Sequence, residues 1–594
     1  MVGDYLQRHS QLYLALLTLV IFILVRQAPV DYTDGDSEHV LLTAQAIVQH
    51  GTIKLDAYLP AGFEDKVLDV GGHLYSYQPL GTSFFAVPAV WLANLRGQDM
   101  LDPANNRDQQ KALAAFTVSA IFVLIYMIAR SFAGAATSLL LGTVFTIGSS
   151  VASTLGAALW SHNLAIVFAL AAVLLIVRDA RGQLPARWAY AVGALLFGAY
   201  FVRPTMLALV VAALAYFAIW RRPLLVRAGL GFGIPLLILL VFFRVEYGQF
   251  LPYYYQTGRL RFWPTPQRLY GLLLSPGRGL LIYNAFLLLI LLGMAVSVRR
   301  LMRQPLFWLA IGWLALHLFS VLRWGYWWAG WSFGSRILVD TMPALLLLTL
   351  LVWVEMPVML SRSMRRLALA AFIALGLVGV FVNTVQGLYN PWTRTWNAWH
   401  WPDQDANYRD EIYMFDWRFP QFLASPELVE RRNIEYRLNA LPPWQVDEIA
   451  GPASNSVEFK GWYDYELGGA DPCRWSEGKA AGLSFRVDSV AVPEGKSLAV
   501  EIRAGTHHTQ TIPVLLNQTP LGVIDSQAHW EPSFYTFLIP ASLLRTSDQG
   551  PRVNELDFLI PGANSPASLD PDAEDTRVLG LCLWHTQLLT MPSP

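Results

Sequence analysis

An acidic pair lies close to the N-terminus. The segment "DYTDGDSEHVLL" sets Asp34 and Asp36 one residue apart, followed by Glu38 and His39, with an amphipathic helix expected from Ser37. Carboxylates just before a helix N-terminus sit in its positive partial potential and stay ionised. Such a pair, Asp34 with Asp36, can hold a divalent metal (Mg, Mn or Ca) through oxygen ligands. Alternatively, one carboxylate takes a proton from a hydroxyl as general base. The third reading is an Asp N-cap with solvated neighbours. Arginines are the candidates for meeting an anion: Arg203, Arg278 and Arg336, with Arg244, Arg259, Arg261, Arg268 and Arg323 in similar settings. A guanidinium suits a phosphate because its N–H groups form a fork. Arg336 precedes Asp340 by four residues, so an ion pair along one helix face competes for it. His162 can bind a metal or a pyrophosphate-like group, or serve only structure. Trp324, Trp327, Trp328 and Trp331, and the run Tyr253 to Tyr255, can stack on a sugar face or form the aromatic belt of a membrane interface. There is no GxxxxGK[ST] phosphate loop and no Cys/His cluster of zinc spacing.

The elements that must position these residues are apolar helices. Hydrophobic residues make up 54% of the 594, and charged residues only 14%, against about 25% charged in soluble domains. Mean hydropathy is +0.38. This excludes an ordinary soluble enzyme and a disordered or collagenous chain. A spanning helix needs about 20 mainly apolar residues. Such runs cover 11–27, 112–131, 134–157, 160–177, 188–203, 204–220, 228–245, 279–298, 305–322, 336–355 and 367–386, with a shorter run at 80–95 containing Pro88. The first run lacks a small-residue cleavage site and reads as a retained helix. Four short connections carry three arginines each: Arg178, Arg181, Arg187; Arg221, Arg222, Arg227; Arg299, Arg300, Arg303; Arg362, Arg365, Arg366. By the positive-inside rule they are cytoplasmic. Loops 29–79, 246–278 and 323–335, and the chain after 387, then face outward. An inside N-terminus and an outside C-terminus require an odd number of spans: eleven if 80–95 lies on the surface, thirteen if it crosses with another.

The formal net charge of zero hides a split. Residues 1–389 hold 28 Lys+Arg and 16 Asp+Glu, and residues 390–594 hold 15 and 27. The basic residues sit in short clusters between apolar runs, which gives no nucleic-acid footprint. Residues 390–454 read as an aromatic, polar linker with a short helix near 426–440. From 455 to 594 short alternating runs such as "SVEFKGWY" and "KSLAVEIRA" are punctuated by Pro, Gly and Asn, the pattern of an antiparallel β-sandwich or jelly roll. The only cysteines, Cys473 and Cys582, lie near its start and end. Outside the cytoplasm they can form a disulfide; two buried thiols fit as well.

Several segments together resemble the GT-C superfamily of membrane glycosyltransferases. These are the acidic pair in the first outward loop, "YSYQPLGT" (Tyr75 to Thr82), "LWSHNLA" with His162, "VRPT" with Arg203, "LLLSPGRGLLIYN" with Arg278, and "WWAGWSFGSRILVDTMP" with Arg336. The resemblance covers roughly residues 10–390 and is to bacterial members that use polyprenyl-phosphate sugars. The C-terminal sandwich resembles carbohydrate-binding modules of some members, especially arabinofuranosyltransferases. The resemblance implies a multi-pass helical domain over 1–389 in the bacterial inner membrane, with the sandwich in the periplasm. It implies inverting transfer from a polyprenyl-phosphate-linked sugar, such as arabinofuranose, to a glycan or glycoprotein acceptor. Asp36 is then the expected base, with Asp34 or Glu38 as the alternatives. The donor phosphate is expected at Arg203, Arg336, Arg278 and His162, and the sugar or acceptor at Tyr77, Trp327, Trp328 and Trp331. A glycan polymerase or ligase, or a flippase for polyprenyl-linked sugars, is the competing reading.

Overall fold

A computed structural model describes residues 9–60, 62–63, 65–256, 260, 262–397, 414–451, 454–466, 472–487, 496–506, 508–526, 529–545, 553–569 and 572–592. Arg259 and Arg261 lie outside the described residues. The chain forms two compact units, Met1–Val429 and Glu430–Pro594.

The first unit is helical. Among the described residues, six helices are long and apolar enough to cross a membrane: Pro103–Ala129, Ser161–Ala180, Arg222–Tyr247, Pro305–Leu322, Arg336–Met359 and Arg362–Tyr389. Six shorter apolar helices accompany them: Ser10–Arg26, Val40–His50, Leu80–Asn94, Ala135–Ile147, Trp188–Val202 and Pro204–Trp220. This length and composition suggest membrane association. Local chemistry sets several ends. Asp102 and Ser361 cap helices through side-chain oxygens, and Pro103 and Pro305 occupy first turns, where a missing N–H costs nothing. Two apolar runs are broken. The run 134–157 ends its first helix at Ile147 and restarts at Ser150, capped by Ser149. A Cβ on Gly379 would lie 2.1 Å from the Gly148 carbonyl oxygen, so Arg362–Tyr389 crosses at the break. The run 279–298 breaks at Asn284, whose amide oxygen accepts from the Ser150 N–H at 2.8 Å.

Helix Arg336–Met359 is central, with 89% of its apolar window buried, whereas Arg222–Tyr247 is peripheral, with 11%. The peripheral helix leans on Trp188–Val202 through glycines. A Cβ on Gly193 would lie 2.1 Å from the Ala228 carbonyl oxygen, and one on Gly231 2.2 Å from that of Tyr190. Small residues that let backbones approach this closely are a common device in membrane helix packing. Between Ser10–Arg26 and Leu80–Asn94 the chain forms a turn at residues 33–39, the helix Val40–His50, and a hairpin of Val67–Val70 with His73–Ser76 in the register Val67 to Ser76. Val40, Leu41 and Ala44 pack on Ala86, Val90 and Ala93, joining that helix to Leu80–Asn94.

Among the described residues, the second unit contains two five-stranded antiparallel sheets. One orders His529–Ile539, Lys496–Thr506, Cys582–Pro592 and Ile449–Ala450, with Arg474–Trp475 also pairing to Cys582–Pro592. The other orders Val457–Lys460, Ala480–Phe485, Asn554–Leu559, Gln510–Leu516 and Thr519–Ser526. Alternate residues of both sheets, including Leu498, Val500 and Ile502 of one and Leu483, Val514 and Leu556 of the other, form one core. Cys473 and Cys582 are disulfide-bonded.

Candidate functional site

The acidic turn is held by the first two turns of helix Pro103–Ala129. Asn106 donates to the Glu38 carbonyl at 3.2 Å, Gln110 to the Thr33 carbonyl at 3.1 Å and Lys111 to the Val30 carbonyl at 3.0 Å. Residues 106 and 110 are one turn apart, so one helix face fixes the loop backbone. The helix expected from Ser37 begins at Val40, with His39 as its uncapped N-terminal neighbour. None of the carboxylates therefore serves as its cap. Each is claimed by a different cation: Asp34 by Arg394, Asp36 by Arg336, and Glu38 by Lys66, the last at 2.6 Å. Among the described residues no group of three His, Cys, Asp or Glu side chains is placed to hold a metal. With Asp34 and Asp36 facing separate guanidiniums, this donor set does not fit a divalent ion.

Asp36 is the carboxylate at the pocket. Arg336 reaches it while stacking its guanidinium on the Trp160 ring, 3.7 Å from the centroid. Gly35 lies against the same tryptophan: a Cβ there would meet Trp160 at 3.3 Å and the Tyr32 carbonyl at 3.1 Å. Trp160 thus seats both partners of the ion pair. Crowding desolvates Asp36 and pushes its carboxyl up. The charge and hydrogen bond of Arg336, aided by Arg203 and His162, outweigh this, and the group lies below the usual carboxylate range. Its side chain is still half exposed.

Behind this pair lies a buried network. Asp340, fully buried, accepts from Arg203 Nε at 2.5 Å, His162 Nδ1 at 2.6 Å and the Thr205 hydroxyl at 3.2 Å. Arg203 also donates to Ser161 Oγ at 2.9 Å. The Arg336–Asp340 pair that competed for this arginine does not form. Residues Arg336–Thr341 make a tighter 3₁₀ turn, and the two side chains serve different partners.

A small pocket of about 10 Å³ is lined by Asp36, Ser37, Thr82, Trp160, Arg203 and Arg336, among others. Beside it runs an apolar groove of about 300 Å³, walled by Leu207, Val211, Leu316 and Phe319. Arg203 and Tyr254 line both, so the two adjoin. Tyr77 packs edge-on to Tyr254 and tilted against Tyr253, with ring centroids 6.1 Å and 5.5 Å apart.

Three of the sequence candidates are placed otherwise. Arg278 is buried and donates to the carbonyls of Gly277, Trp328 and Gly330 and to the side chains of Gln421 and Asn397. All five of its N–H groups have work among protein acceptors, which leaves none for a phosphate. It clamps loops together. Trp327 and Trp328 are buried at 0% and 4% exposure and present no face to a sugar. Trp331 is 64% exposed. Sequence reasoning passed over Asn106, Gln110, Lys111, Trp160, Asp340 as the partner of Arg203, and Arg394. Polar residues at one-turn spacing leading into an apolar run were a readable signal for the first three.

No family model matches the chain, and neither does any curated protein. One solved structure with a partial likeness is a glycoside hydrolase family 43 arabinoxylan arabinofuranohydrolase from Bacillus subtilis in complex with cellotetraose. Identity is 8% and the TM-score 0.17, over 25% of this chain and 28% of that one. The chain therefore matches under a third of that protein's length, and so slight a likeness carries no argument about fold or chemistry.

Proposed function

We propose that the chain is an integral membrane glycosyltransferase of the GT-C superfamily. It moves a sugar from a polyprenyl-phosphate donor to a glycan or protein acceptor on the outer face of the bacterial inner membrane. The observation that carries this reading is the adjacency of two unlike spaces. A carboxylate and two guanidiniums line a polar pocket, and one of those guanidiniums also lines an apolar groove open beside the helices. A lipid phosphate needs such a pairing of spaces. In this reading the prenyl chain lies in the groove and the phosphate meets Arg203 and Arg336. Asp36 takes the proton of an acceptor hydroxyl as its oxygen attacks the anomeric carbon. The bond from that carbon to the phosphate oxygen breaks with inversion, and polyprenyl phosphate leaves with its charge offset by the arginines. Arg278 has no part in it. Trp331 and Tyr77 remain for the sugar or acceptor.

The fold reading that accompanies this is eleven spans. Leu80–Asn94 lies along the outer surface, consistent with the exposure of Phe84, Trp91 and Leu92 on a helix whose other face packs on Val40–His50. The sandwich, outside the membrane, holds or orients the acceptor glycan. A flippase or other transporter is the rival. Its ionisable residues are expected near mid-span on broken helices. Here His162 and Asp340 lie in the first two turns of their helices and His317 in the last two.

The test is the sugar composition of surface glycans and glycoproteins in cells lacking the protein, complemented with wild type or Asp36→Asn at matched membrane levels. One sugar is expected to vanish in the deletion and return only with wild type. Full restoration by Asp36→Asn removes Asp36 as the base and moves the role to Asp34 or Glu38; full restoration by Asp34→Asn and Glu38→Gln as well ends the transferase reading. Translocation of polyprenyl-linked sugar by the purified protein in liposomes, unaffected by that substitution, supports the flippase instead.

A further inference from the structure

Two hydroxyls lie buried in the polar pocket with nothing to bond. Ser37 is 2% exposed and Thr82 1% exposed. Ser37 Oγ and Thr82 Oγ1 have no hydrogen-bond partner, and neither does the Nε of Arg336. All three residues line the same pocket. A buried hydroxyl without a partner is destabilising, and native proteins leave few of them.

The same pocket collects helix N-termini. Val40–His50, Leu80–Asn94 and Ser161–Ala180 are 11, 15 and 20 residues long, and none has a side-chain cap. Val40, Thr82 and Ser161, from their first turns, all line it. The approach is close: a Cβ on Gly81 would lie 2.6 Å from the Phe201 carbonyl oxygen, so the start of Leu80–Asn94 is pressed against the chain leading to Arg203. Three N-terminal partial charges and two guanidiniums therefore surround one carboxylate, Asp36.

We infer that Ser37 and Thr82 are ligand-binding residues that donate hydrogen bonds to a single oxygen of a phosphoryl group seated where these three helices begin. The inference rests on the proposed polyprenyl-phosphate donor and assigns its phosphate a site. A free volume of about 10 Å³ is on the scale of one water molecule and admits no sugar ring. One oxygen of a larger group enters. The surrounding positive charge selects an anionic oxygen over a sugar hydroxyl, which gains little from it. Asp36 opposes the anion, and its pairing to Arg336 keeps that guanidinium occupied until a phosphate competes for it.

Purified full-length protein in lipid nanodiscs is titrated with polyprenyl monophosphate, with the matching polyprenol, and with inorganic phosphate. Thr82→Val and Ser37→Ala are each expected to weaken polyprenyl monophosphate binding about 10- to 100-fold, the loss of one hydrogen bond to a charged acceptor. Polyprenol binding stays unchanged, and Asp36→Asn tightens phosphate binding. Both hydroxyl variants are expected to melt at or above the wild-type temperature, because they remove an unpaired buried group. A hydroxyl serving only structure lowers it. Thr82→Ser, which keeps the hydroxyl, restores affinity. Unchanged phosphate affinity in both variants overturns the inference, as does an equal loss for polyprenol. If wild type ignores the prenyl lipids but binds inorganic phosphate with the same variant pattern, the site stands and the polyprenyl donor falls. If it binds none of the three, both fall.

Discussion

Asp36, Asp34 and Glu38 are alike in sequence and unlike in setting. Only Asp36 lines the pocket shared by both arginines. If the chain is the transferase proposed above, replacing it by Asn is expected to reduce transfer about 10²- to 10⁴-fold, the usual range for a general base. Asp34→Asn and Glu38→Gln, whose partners are Arg394 and Lys66, are expected to cost less than about tenfold on the same scale. Transfer of labelled sugar in membranes with matched protein levels checks the order. Asp36 also carries a pH signature. Its folded-state pKa lies below the ordinary carboxylate value. Its ion pair therefore contributes fully above that ordinary value and is lost as pH falls through the lowered one. The melting-temperature gap between wild type and Asp36→Asn should be constant near neutrality and close below about pH 4. Arg278 makes the opposite case. Arg278→Lys keeps the charge but leaves buried acceptors unpaired, so it should destabilise by about 2–4 kcal/mol while leaving the KM for donor near wild type. Thermal melts and initial rates separate a clamp from a phosphate ligand. The sequence carried no sign of this difference, since an arginine in a Pro/Gly turn ahead of an apolar run reads alike whether it faces a ligand or backbone carbonyls.

Every apolar run in the sequence is helical, because burial or lipid contact along the whole run leaves the backbone no other way to satisfy its N–H and C=O groups. The breaks at Gly148–Ser149 and at Asn284 were harder to see. They depend on a crossing helix and on an asparagine bonded to a distant serine, neither of which periodicity records. The competing Arg336–Asp340 pair is absent for a related reason: the four-residue rule presumes a regular α-helix, and a 3₁₀ turn rotates the two side chains apart. The seam between Trp188–Val202 and Arg222–Tyr247 invites a direct test. Gly193→Leu places a side chain into the Ala228 carbonyl. With few other burial contacts holding the peripheral helix, this should cost upwards of about 3 kcal/mol. Gly229→Leu, where a Cβ meets nothing within 4 Å, should be near neutral. Unfolding of the purified protein in mild detergent distinguishes the pair.

Across the whole molecule, the charge split near residue 390 was plain in composition, yet the compact units divide at Val429. The polar, aromatic stretch just past 390 folds with the helices because its side chains have partners there: Arg394 with Asp34, Asn397 with the Tyr32 hydroxyl, Gln421 with Arg278. Composition marks where a chain stops being apolar, not where its contacts stop. In the second unit the Cys473–Cys582 bond closes 109 residues of chain. Cys473→Ser with Cys582→Ser is expected to destabilise that unit by about 2–4 kcal/mol. If the unit lies outside the cytoplasm, thiol labelling of intact cells should find both cysteines blocked until a reductant is added. The ion pairs of the acidic turn also fix a chronology. Asp36 waits for Arg336, 300 residues later, and Asp34 for Arg394, 360 residues later. A chain made from its N-terminus exposes the turn first and supplies its last counter-ion only after every apolar helix has been synthesised. The site is therefore among the last features to mature, and a nascent chain halted before residue 394 carries its acidic turn incompletely neutralised.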